Sequence, residues 1–527
     1  MKHFNITFEP EGERISIHEG ATLLEAAAQA GIILNSVCGA KGTCGKCLVV
    51  IEPSKQEVLA CQYIIHSDLT VTIPPQSRFY EPKILEHGID VEARFRSGFT
   101  DEKLQPGKAF GLAFDIGTTT IVAKLIDLAN GRTLATLSGL NPQIQHGDDV
   151  ISRIHFAQTD AKLLRLHKEI ITFINELIKK LCRSNKIDSN QIMEMAVVGN
   201  TTMNHLFLKL PVLQLGQAPY KAFSLDAQSH SAKELGIGIN PAANVYAAPC
   251  IAGFLGADTT AVALAVDIAS AKQMTLAVDI GTNGEIILGT SDALYAASCA
   301  AGPAFEGARI THGSRAVDGA IETVLINKGD IDFDVIADTE PRTICGSALI
   351  DAVAVLLDLG IIDATGRFLE PEELPKELPL KIFSRIIEYK GQPAFCLAFD
   401  KKSQTPKVLL TQNDIRQTQL AKAAIRTGIK LLQKKIGIVD SDIQQIFLAG
   451  AFGNYICREN AMRIGLLPNV PLERIHFVGN AACSGAEMML LSKSWRDEAE
   501  QLAKKIKYIE IAHEPDFTKI YAESMLF

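Results

Sequence analysis

The sequence lacks the features that would assign it to several broad protein classes. No apolar run approaches the roughly 18 residues of a membrane span, and the most apolar stretches contain Asp or Glu. Basic residues are not in excess, because 52 Lys and Arg stand against 60 Asp and Glu, for a net charge of −8. We therefore expect no membrane segment and no nucleic acid as the main partner.

A secretory signal is also missing from the first residues. The segment MKHFNITFEP has no apolar core and no small-residue cleavage site. The sequence therefore predicts a cytoplasmic protein, and a disulfide framework is not expected in that reducing compartment.

Four of the eleven cysteines form a cluster near the N-terminus, with the spacing C-x5-C-x2-C-x13-C. They are Cys38, Cys44, Cys47 and Cys61. A 2Fe–2S cluster requires four thiolates, two for each iron. The loop that carries the first three is rich in glycine, which tolerates the positive φ angles needed to wrap around a cluster. Structural zinc sites usually contain two short CxxC pairs, and only one is present here. The spacing therefore predicts a 2Fe–2S site.

The segments around these cysteines predict a ferredoxin-like β-grasp domain over residues 1–77. HFNITFEP and ERISIHEG alternate apolar and polar residues as strands do, and CLVVIEP and LTVTIPP supply further strands. TLLEAAAQAG predicts a helix capped by Thr22. Residues 78–108 show no clear period and form a connector, which is either a flexible tether or a strap packed on the next domain.

Two similar motifs follow the connector. FGLAFDIGTTTIVAKLIDL and TLAVDIGTNGEIILG each place Asp-Ile-Gly-Thr between two apolar strands, with Asp115 and Asp279 at equivalent positions. Backbone N–H groups and Thr hydroxyls at such turns can hold phosphate oxygens, and the carboxylate can hold hydrated Mg²⁺.

A second pair of segments supports an internal duplication. KIDSNQIMEMAVVGNTT and IVDSDIQQIFLAGAFGN each combine a polar Asp-Ser segment, an apolar strand and a Gly–small–Asn turn. Each follows a long amphipathic helix. The second half is longer because an insertion precedes its helix.

Paired DxGT loops followed by AGAFG resemble the acetate kinase, sugar kinase, heat-shock chaperone and actin superfamily. The resemblance implies an α/β and α+β multidomain fold, in which two duplicated ribonuclease-H-like subdomains (109–272 and 273–527) close over ATP. It also implies which residues bind the nucleotide. They are Asp115, Gly117, Thr118 and Thr119 in the first phosphate motif, Asp279, Gly281, Thr282 and Asn283 in the second, and Gly450 and Gly453 in the adenosine motif.

The whole chain resembles the reductive activators of corrinoid proteins. CAAGPAFEGARITHG, ICGSALIDAVAVLLDLG and VVGNTTMNHLFL are similar to segments of that family. The resemblance implies an enzyme that binds a 2Fe–2S cluster and hydrolyses MgATP. It would transfer an electron from a low-potential donor to a corrinoid protein, converting cobalt(II) to cobalt(I). The superfamily resemblance also implies a homodimer formed through the ATPase domain.

Three other functions remain open from the sequence. One is an ATP-dependent activator of a dehydratase or radical enzyme, although such proteins hold a 4Fe–4S cluster between subunits and need no ferredoxin domain. Another is a small-molecule kinase with an accessory ferredoxin module. The third is a redox-sensing scaffold without catalysis.

Several residues have two interpretations each. Asp115, Asp279 and Glu285 are the candidate catalytic residues, but Glu285 is either a ligand of water or Mg²⁺ or a solvated hairpin charge. His146, Asp148 and Asp149 either assist hydrolysis or, for the two aspartates, cap a helix. The small-residue loop Ser298–Gly307 either faces the partner's corrin ring or is buried beside the nucleotide.

Overall fold

The structure is a computed structural model of the 527-residue chain. It describes residues 2–10, 12–30, 32, 34, 40, 42, 45–74, 77, 89, 105–147, 149–450 and 456–527. In that part of the chain, every helix is too short or too polar to cross a lipid bilayer.

The N-terminal unit is a five-stranded mixed sheet with one helix. The elements are β1 (His3–Glu9), β2 (Glu13–His18), α1 (Leu23–Gln29), β3 (Leu48–Glu52), β4 (Gln56–Leu59) and β5 (Leu69–Thr72). The strand order is β2-β1-β5-β3-β4, and β1 and β5 run parallel. Thr22 caps α1 as predicted, because its hydroxyl accepts from the Glu25 backbone N–H and the Glu25 carboxylate accepts from the Thr22 N–H. The β-grasp prediction is confirmed, and β4 is an additional strand.

The next unit contains a six-stranded sheet and five helices. Its strands are β6 (Phe110–Ile116), β7 (Thr120–Asp127), β8 (Thr133–Leu140), β9 (Ile192–Gly199), β10 (Gln228–Ser231) and β11 (Asn244–Ala247). Its helices are α2 (Val150–Phe156), α3 (Asp160–Asn185), α4 (Thr201–Phe207), α5 (Ala232–Leu235) and α6 (Ala257–Ala265). The strand order is β10-β11-β9-β6-β7-β8. The long helix α3 buries its apolar face against the sheet.

The last unit repeats this plan and adds two small sheets. Its strands are β12 (Thr275–Ile280), β13 (Gly284–Gly289), β14 (Leu294–Cys299), β15 (Ala320–Asn327), β16 (Asp330–Val335), β17 (Thr343–Ile344), β18 (Ile386–Tyr389), β19 (Gln392–Phe399), β20 (Pro406–Thr411), β21 (Gln445–Ala449), β22 (Ile475–Gly479) and β23 (Lys507–Tyr508). Its helices are α7 (Gly346–Asp358), α8 (Leu380–Phe383), α9 (Gln412–Ile436), α10 (Arg458–Arg463), α11 (Ala481–Leu491), α12 (Lys493–Lys505) and α13 (Phe517–Met525). The main sheet has the order β22-β21-β12-β13-β14-β23, and strands β15 to β20 form the two three-stranded sheets of the insertion.

The two six-stranded sheets share one topology. In the first, β6 pairs antiparallel with β7 and parallel with β9, and β9 pairs parallel with β11. In the second, β12 pairs in the same way with β13 and β21, and β21 pairs parallel with β22. The order β8-β7-β6-β9-β11 therefore repeats as β14-β13-β12-β21-β22. This repeat confirms the predicted duplication of a ribonuclease-H-like subdomain.

Helices α6 and α11 lie between the two main sheets. One apolar core contains Ala113 and Ala196 of the first sheet, Ala277 and Ala449 of the second, and both helices. The helices approach so closely that a Cβ on Gly485 of α11 would lie 2.2 Å from the Ala261 carbonyl oxygen of α6. The two halves therefore share a core, and a cleft opens where their hairpin turns face each other.

Lys124 on β7 and Glu487 on α11 form a buried ion pair across the two halves, with Nζ 2.8 Å from Oε2. Their side chains are only 7% and 3% exposed. The other carboxylate oxygen, Oε1, accepts from the Thr133 hydroxyl at 2.8 Å. Because an unpaired charge is costly at this depth, the pair fixes how α11 sits on the first sheet.

Candidate functional site

The cleft between the two halves has a volume of about 450 Å³ and contains both predicted phosphate motifs. Among its lining residues, the predicted ones are Asp115, Gly117, Thr118, Thr119, Asp279, Gly281, Thr282, Asn283, Glu285 and Gly450. Residues 164 positions apart in the sequence thus meet in one site. Each motif lies at the end of the central strand of its sheet, where β6 turns into β7 and β12 turns into β13.

The first phosphate loop is a tight turn between β6 and β7. The Gly117 N–H donates to the Thr120 carbonyl at 2.9 Å, and a Cβ on Gly117 would lie 2.6 Å from that oxygen. Only glycine fits this approach. Asn141 donates to the Gly117 carbonyl at 2.9 Å, and Asn200, the N-cap of α4, donates to the Thr118 hydroxyl at 2.8 Å.

A buried arginine, Arg153, supports this loop by hydrogen bonding to its backbone. The side chain is fully buried, and its guanidinium donates to the Thr118 carbonyl and, at 3.0 Å, to the Gly147 carbonyl. Arg153 is therefore a positioning residue for the first phosphate loop.

The second loop is held by Gly281 and contacted by Gly450. The Gly281 N–H donates to the Asn283 carbonyl at 3.0 Å. Gly450 has φ +97°, and a Cβ there would lie 2.6 Å from Asp279 Oδ1 and 2.7 Å from the Ile280 carbonyl oxygen. The backbone of Gly450 therefore packs directly on the second loop.

Six carboxyl-bearing residues line the cleft, and the charges of four of them influence one another: Asp115, Asp258, Asp279 and Glu285. Burial, together with the charges of Asp258 and Asp279, raises the pKa of Asp115 to about 8. Burial, with the charge of Asp258, raises the pKa of Asp279 to about 7. Burial also raises the pKa of Asp258 to about 6, and the pKa of Glu285 is raised well above its usual value. Crowded carboxylates of this kind are stabilised by a bound cation.

Hard divalent cations such as Mg²⁺ bind oxygen ligands, and carboxylates supply them. Asp115 also accepts from the Asn480 side-chain amide at 3.3 Å, which holds one of its oxygens in place. Glu285 lies on β13 opposite Asp279 and faces the cleft, not open solvent. The donor set therefore fits Mg²⁺ that enters with a nucleotide.

Glu306 and Arg315 cross the same cleft. The Glu306 carboxylate accepts from the Thr119 hydroxyl of the first loop at 3.5 Å, from the Thr282 hydroxyl of the second loop, and from Arg315 Nη2 at 2.9 Å. One side chain thus contacts both phosphate motifs.

Family models cover most of the chain. The 2Fe–2S iron-sulfur cluster binding domain matches residues 6–66, the RACo middle region matches residues 110–271, and the C-terminal domain of RACo, the ASKHA domain, matches residues 273–527. The corrinoid activation enzyme RamQ of Eubacterium limosum is 35% identical over 98% of each chain. The chain belongs to this family of corrinoid activators.

Two further similarities agree with this assignment. The [Co(II) methylated amine-specific corrinoid protein] reductase of Methanosarcina barkeri is 28% identical over 78% of this chain and 76% of its own. A solved structure, the reductive activator for corrinoid, iron-sulfur protein, is 30% identical over 99% of this chain and 98% of its own, with a TM-score of 0.71. The predicted membership of the family of reductive activators is confirmed.

In this corrinoid activator, two of the four predicted cluster ligands lie among the described residues. Cys47 and Cys61 are 1% and 6% exposed and belong to the core of the β-grasp unit. Gly42 and Gly45 have φ +75° and +68°, the left-handed conformation that a wrapping loop needs. The Gln62 side-chain amide donates to Cys61 Sγ at 3.6 Å. Buried thiols with a nearby N–H donor fit a 2Fe–2S cluster.

Some of the predicted site residues lie outside the described residues, and others lie outside the cleft. Cys38, Cys44, Asp148 and Gly453 lie outside them. Asp149 caps α2, because its carboxylate accepts from the Ser152 N–H at 2.7 Å. His146 lies 3.0 Å from Glu169 and stacks on Phe156, and it does not line the cleft. Of the two interpretations, capping is therefore the one observed for Asp149.

The structure also distinguishes between the two interpretations of the small-residue loop Ser298–Gly307. Ala301, Ala304 and Phe305 are buried, and Phe305 and Glu306 line the cleft. The Gly302 N–H donates to the Thr282 carbonyl at 2.9 Å, so the loop is attached to the second phosphate motif. The structure places the loop beside the nucleotide cleft.

Sequence reasoning missed five residues of the site: Arg153, Asn200, Asp258, Asn480 and Arg315. A signal existed for two of them, since Val-Gly-Asn ends at Asn200 and again at Asn480, and both asparagines cap helices at the cleft. The other three residues are charged, and no repeated motif of the sequence marks them: Asp258, Arg153 and Arg315. Only the folded chain brings them to the cleft.

Proposed function

We propose that this protein is an ATP-dependent reductive activator that delivers an electron to a corrinoid protein and converts its cobalt(II) to cobalt(I). The observation that carries the proposal is the presence, in one chain, of a ferredoxin unit with buried cysteines and a cleft in which two hydroxyl-rich loops meet a group of carboxylates. The curated relatives are named for corrinoid activation and cobalt(II) corrinoid protein reduction.

We propose the following roles in the cleft. Asp115 and Asp279 anchor the Mg²⁺ that accompanies ATP, and Glu285 orients the attacking water or a Mg²⁺-bound water. The hydroxyls of Thr118, Thr119 and Thr282, together with Asn283 and the loop amides at Gly117 and Gly281, hold the phosphates. Gly450 and Gly453 let adenosine lie against the backbone. The pairing of carboxylates with hydroxyl-rich turns supports these roles.

We propose that Cys38, Cys44, Cys47 and Cys61 hold the 2Fe–2S cluster. When bound, the cluster supplies one electron at a time, and a low-potential donor replaces that electron. The chain keeps Cys47 and Cys61 away from water, and Gln62 donates to the Cys61 sulfur. Such hydrogen bonds and burial set the potential of a cluster.

ATP is required because plant-type clusters have potentials near −400 mV, which is not low enough for this reduction. A one-electron deficit of about 100 mV corresponds to roughly 2.3 kcal/mol, at 59 mV per tenfold change. Nucleotide binding can supply this only if the closed protein prefers a corrinoid-protein conformation whose cobalt is easier to reduce. The cleft lies between two halves that share a core, and ATP bound there can favour closure of the cleft.

Two further features belong to the proposal. The protein acts in the cytoplasm, which agrees with the seven described cysteines from Cys182 to Cys483 forming no disulfide bond. It works as a homodimer through the ATPase units, as other proteins of this superfamily do. Sedimentation of the purified protein tests the dimer, and a monomer at working concentration would contradict it.

The test is an anaerobic titration that follows cobalt(I) absorbance in a corrinoid protein. The reduced wild-type protein is compared with and without MgATP, and beside Asp279→Asn and Cys47→Ala. Among these samples, we expect cobalt(I) only for the wild type with MgATP. Cys182→Ala, which removes a buried thiol from α3, is the matched control and retains activity. Equal cobalt(I) yields with and without ATP would refute the coupling.

A further inference from the structure

The carboxylate of Glu306 lies between the two phosphate loops of the cleft. Its carboxylate accepts from the Thr119 hydroxyl at 3.5 Å, from the Thr282 hydroxyl, and from the Arg315 guanidinium at 2.9 Å. Thr119 and Thr282 belong to the two phosphate loops, one from each half. A negatively charged group therefore already lies between the hydroxyls that face each other across the cleft.

The terminal phosphate of ATP needs the same partners. It is an anion whose oxygens accept from hydroxyls and pair well with a guanidinium. A carboxylate and a phosphate cannot share these donors, because two like charges at about 4 Å repel each other strongly in a partly buried site. Glu306 and the terminal phosphate are therefore alternative occupants of one position.

We propose that Glu306 holds the place of the terminal phosphate in the nucleotide-free protein, and that Arg315 binds this phosphate when ATP enters. Glu306 then rotates away, and Thr119, Thr282 and Arg315 pass from its carboxylate to the phosphate. ADP leaves Glu306 in place, because it lacks the group that would displace it. The inference rests on the proposed binding of ATP in this cleft and adds the residues that distinguish ATP from ADP.

The backbone around the pair is closely packed, so we expect the exchange to occur by side-chain rotation. A Cβ on Gly307 would lie 2.2 Å from the Ser314 carbonyl oxygen, and one on Gly313 would lie 2.2 Å from the Gly307 carbonyl oxygen. The Ser314 N–H donates to the Ile344 carbonyl at 2.9 Å. Arg315 therefore stays at the cleft in both states, as a preorganised phosphate ligand should.

Calorimetric titration of the full-length protein with a non-hydrolysable ATP analogue and with ADP, both with Mg²⁺, tests the inference. Glu306→Gln removes the competing charge while keeping the side-chain size. Because the phosphate then no longer has to displace a charged competitor from its donors, we expect the analogue to bind about tenfold more tightly and the affinity for ADP to change little. Arg315→Gln should weaken the analogue by about tenfold and ADP much less.

Two surface variants serve as matched controls. Glu340→Gln and Arg309→Gln make the same charge changes at exposed positions outside the cleft, and neither should change the ratio of the two affinities. An unchanged analogue-to-ADP ratio in both Glu306→Gln and Arg315→Gln would overturn the inference alone. Weaker analogue binding by Glu306→Gln would also overturn it, because Glu306 would then be a ligand of the nucleotide complex. Failure of the wild type to bind any nucleotide would overturn the proposed function as well.

Discussion

Gly450 lies directly against the carboxyl group of Asp279, so close that a Cβ would come within 2.6 Å of Oδ1. Asp279 lies on β12, and Gly450, with φ +97°, directly follows the adjacent parallel strand β21. This contact explains why the late glycine motif and the second Asp-Ile-Gly-Thr loop occur together. One supplies a backbone without a side chain, and the other supplies the carboxylate that needs the space.

Gly450→Ala should therefore impair the nucleotide site specifically. The added methyl group displaces Asp279, and we expect ATP hydrolysis to fall by at least about tenfold, since small displacements of reacting groups are costly. Steady-state ATPase assays measure this. Gly391→Ala is the matched control, because Gly391 also has positive φ (+78°) but has no atom within 4 Å of its would-be Cβ. It should lose about 1 kcal/mol of stability and keep its ATPase activity. Equal activity of both variants would contradict the prediction.

Without Mg²⁺ and nucleotide, stability should fall as pH rises from 6 to 8. Asp115 has a pKa of about 8 in the folded protein against 3.8 ordinarily, because of burial and then of the charges of Asp258 and Asp279. Below pH 4 the Asp115 carboxyl is protonated in both the folded and the unfolded protein, so it adds no pH dependence to the stability. Between pH 4 and 8 the unfolded chain loses the proton and the folded one keeps it, so the folded state is progressively disfavoured. For Asp115 the loss between pH 6 and 8 is on the order of 2 kcal/mol.

Thermal unfolding in EDTA at pH 6 and pH 8 measures this, with Asp115→Asn as the comparison. The variant should show a smaller fall in Tm. Lys422, whose pKa burial lowers to about 7, contributes in the opposite direction, but equally in both proteins. Excess MgADP should reduce the pH dependence of the wild type, because the cation neutralises the ionised carboxylates. A steeper fall in Asp115→Asn than in wild type would show that this assignment is wrong.

Lys124→Met should strongly destabilise the ATPase units. It leaves Glu487 as an unpaired charge at 3% exposure, which costs about 3–5 kcal/mol. Arg463→Met, which breaks the pair with Asp358 at 41% and 54% exposure, should cost no more than about 1 kcal/mol. Urea unfolding compares the two, and Lys124→Met with Glu487→Leu should recover much of the loss. Similar costs for the buried and the exposed pair would contradict this.

Cys47→Ala should abolish the visible absorption of the cluster and its reduced-state paramagnetic signal. Calorimetric affinity for the ATP analogue should stay unchanged, because Cys47 belongs to the core of the β-grasp unit and not to the cleft. Cys182→Ala, at another buried thiol, should keep both properties. A native protein that is colourless and zinc-loaded after anaerobic purification would refute the assignment.

Local patterns were sufficient to predict most of the architecture. The alternation in HFNITFEP predicted β1, the Thr22 cap predicted the start of α1, and the repeated Asp-Ile-Gly-Thr turns predicted that Asp115 and Asp279 would share a cleft. These features depend on residues close together in sequence or on an internal repeat. Both are visible without coordinates.

The rest of the site depends on contacts between distant residues. Glu306 reaches Thr119 across 187 positions, and Asn480 reaches Asp115 across 365. Asp258 lies in the first turn of α6 as an isolated acid, and no local pattern distinguishes it from an ordinary first-turn charge. The loop around Glu306 fitted a partner surface as well as a buried position, because small residues suit both. Only packing decides between them.

The ion pair of Lys124 and Glu487 also affects how the protein is made. The two residues are 363 positions apart, so Lys124 emerges from the ribosome long before Glu487 is synthesised. At about 5–20 residues per second the interval is roughly 20–70 s, much longer than a small domain needs to fold. During this time the first sheet lacks both its counter-ion and helix α11. We therefore expect the nascent first half to expose apolar surface until α11, near the end of the chain, has been synthesised.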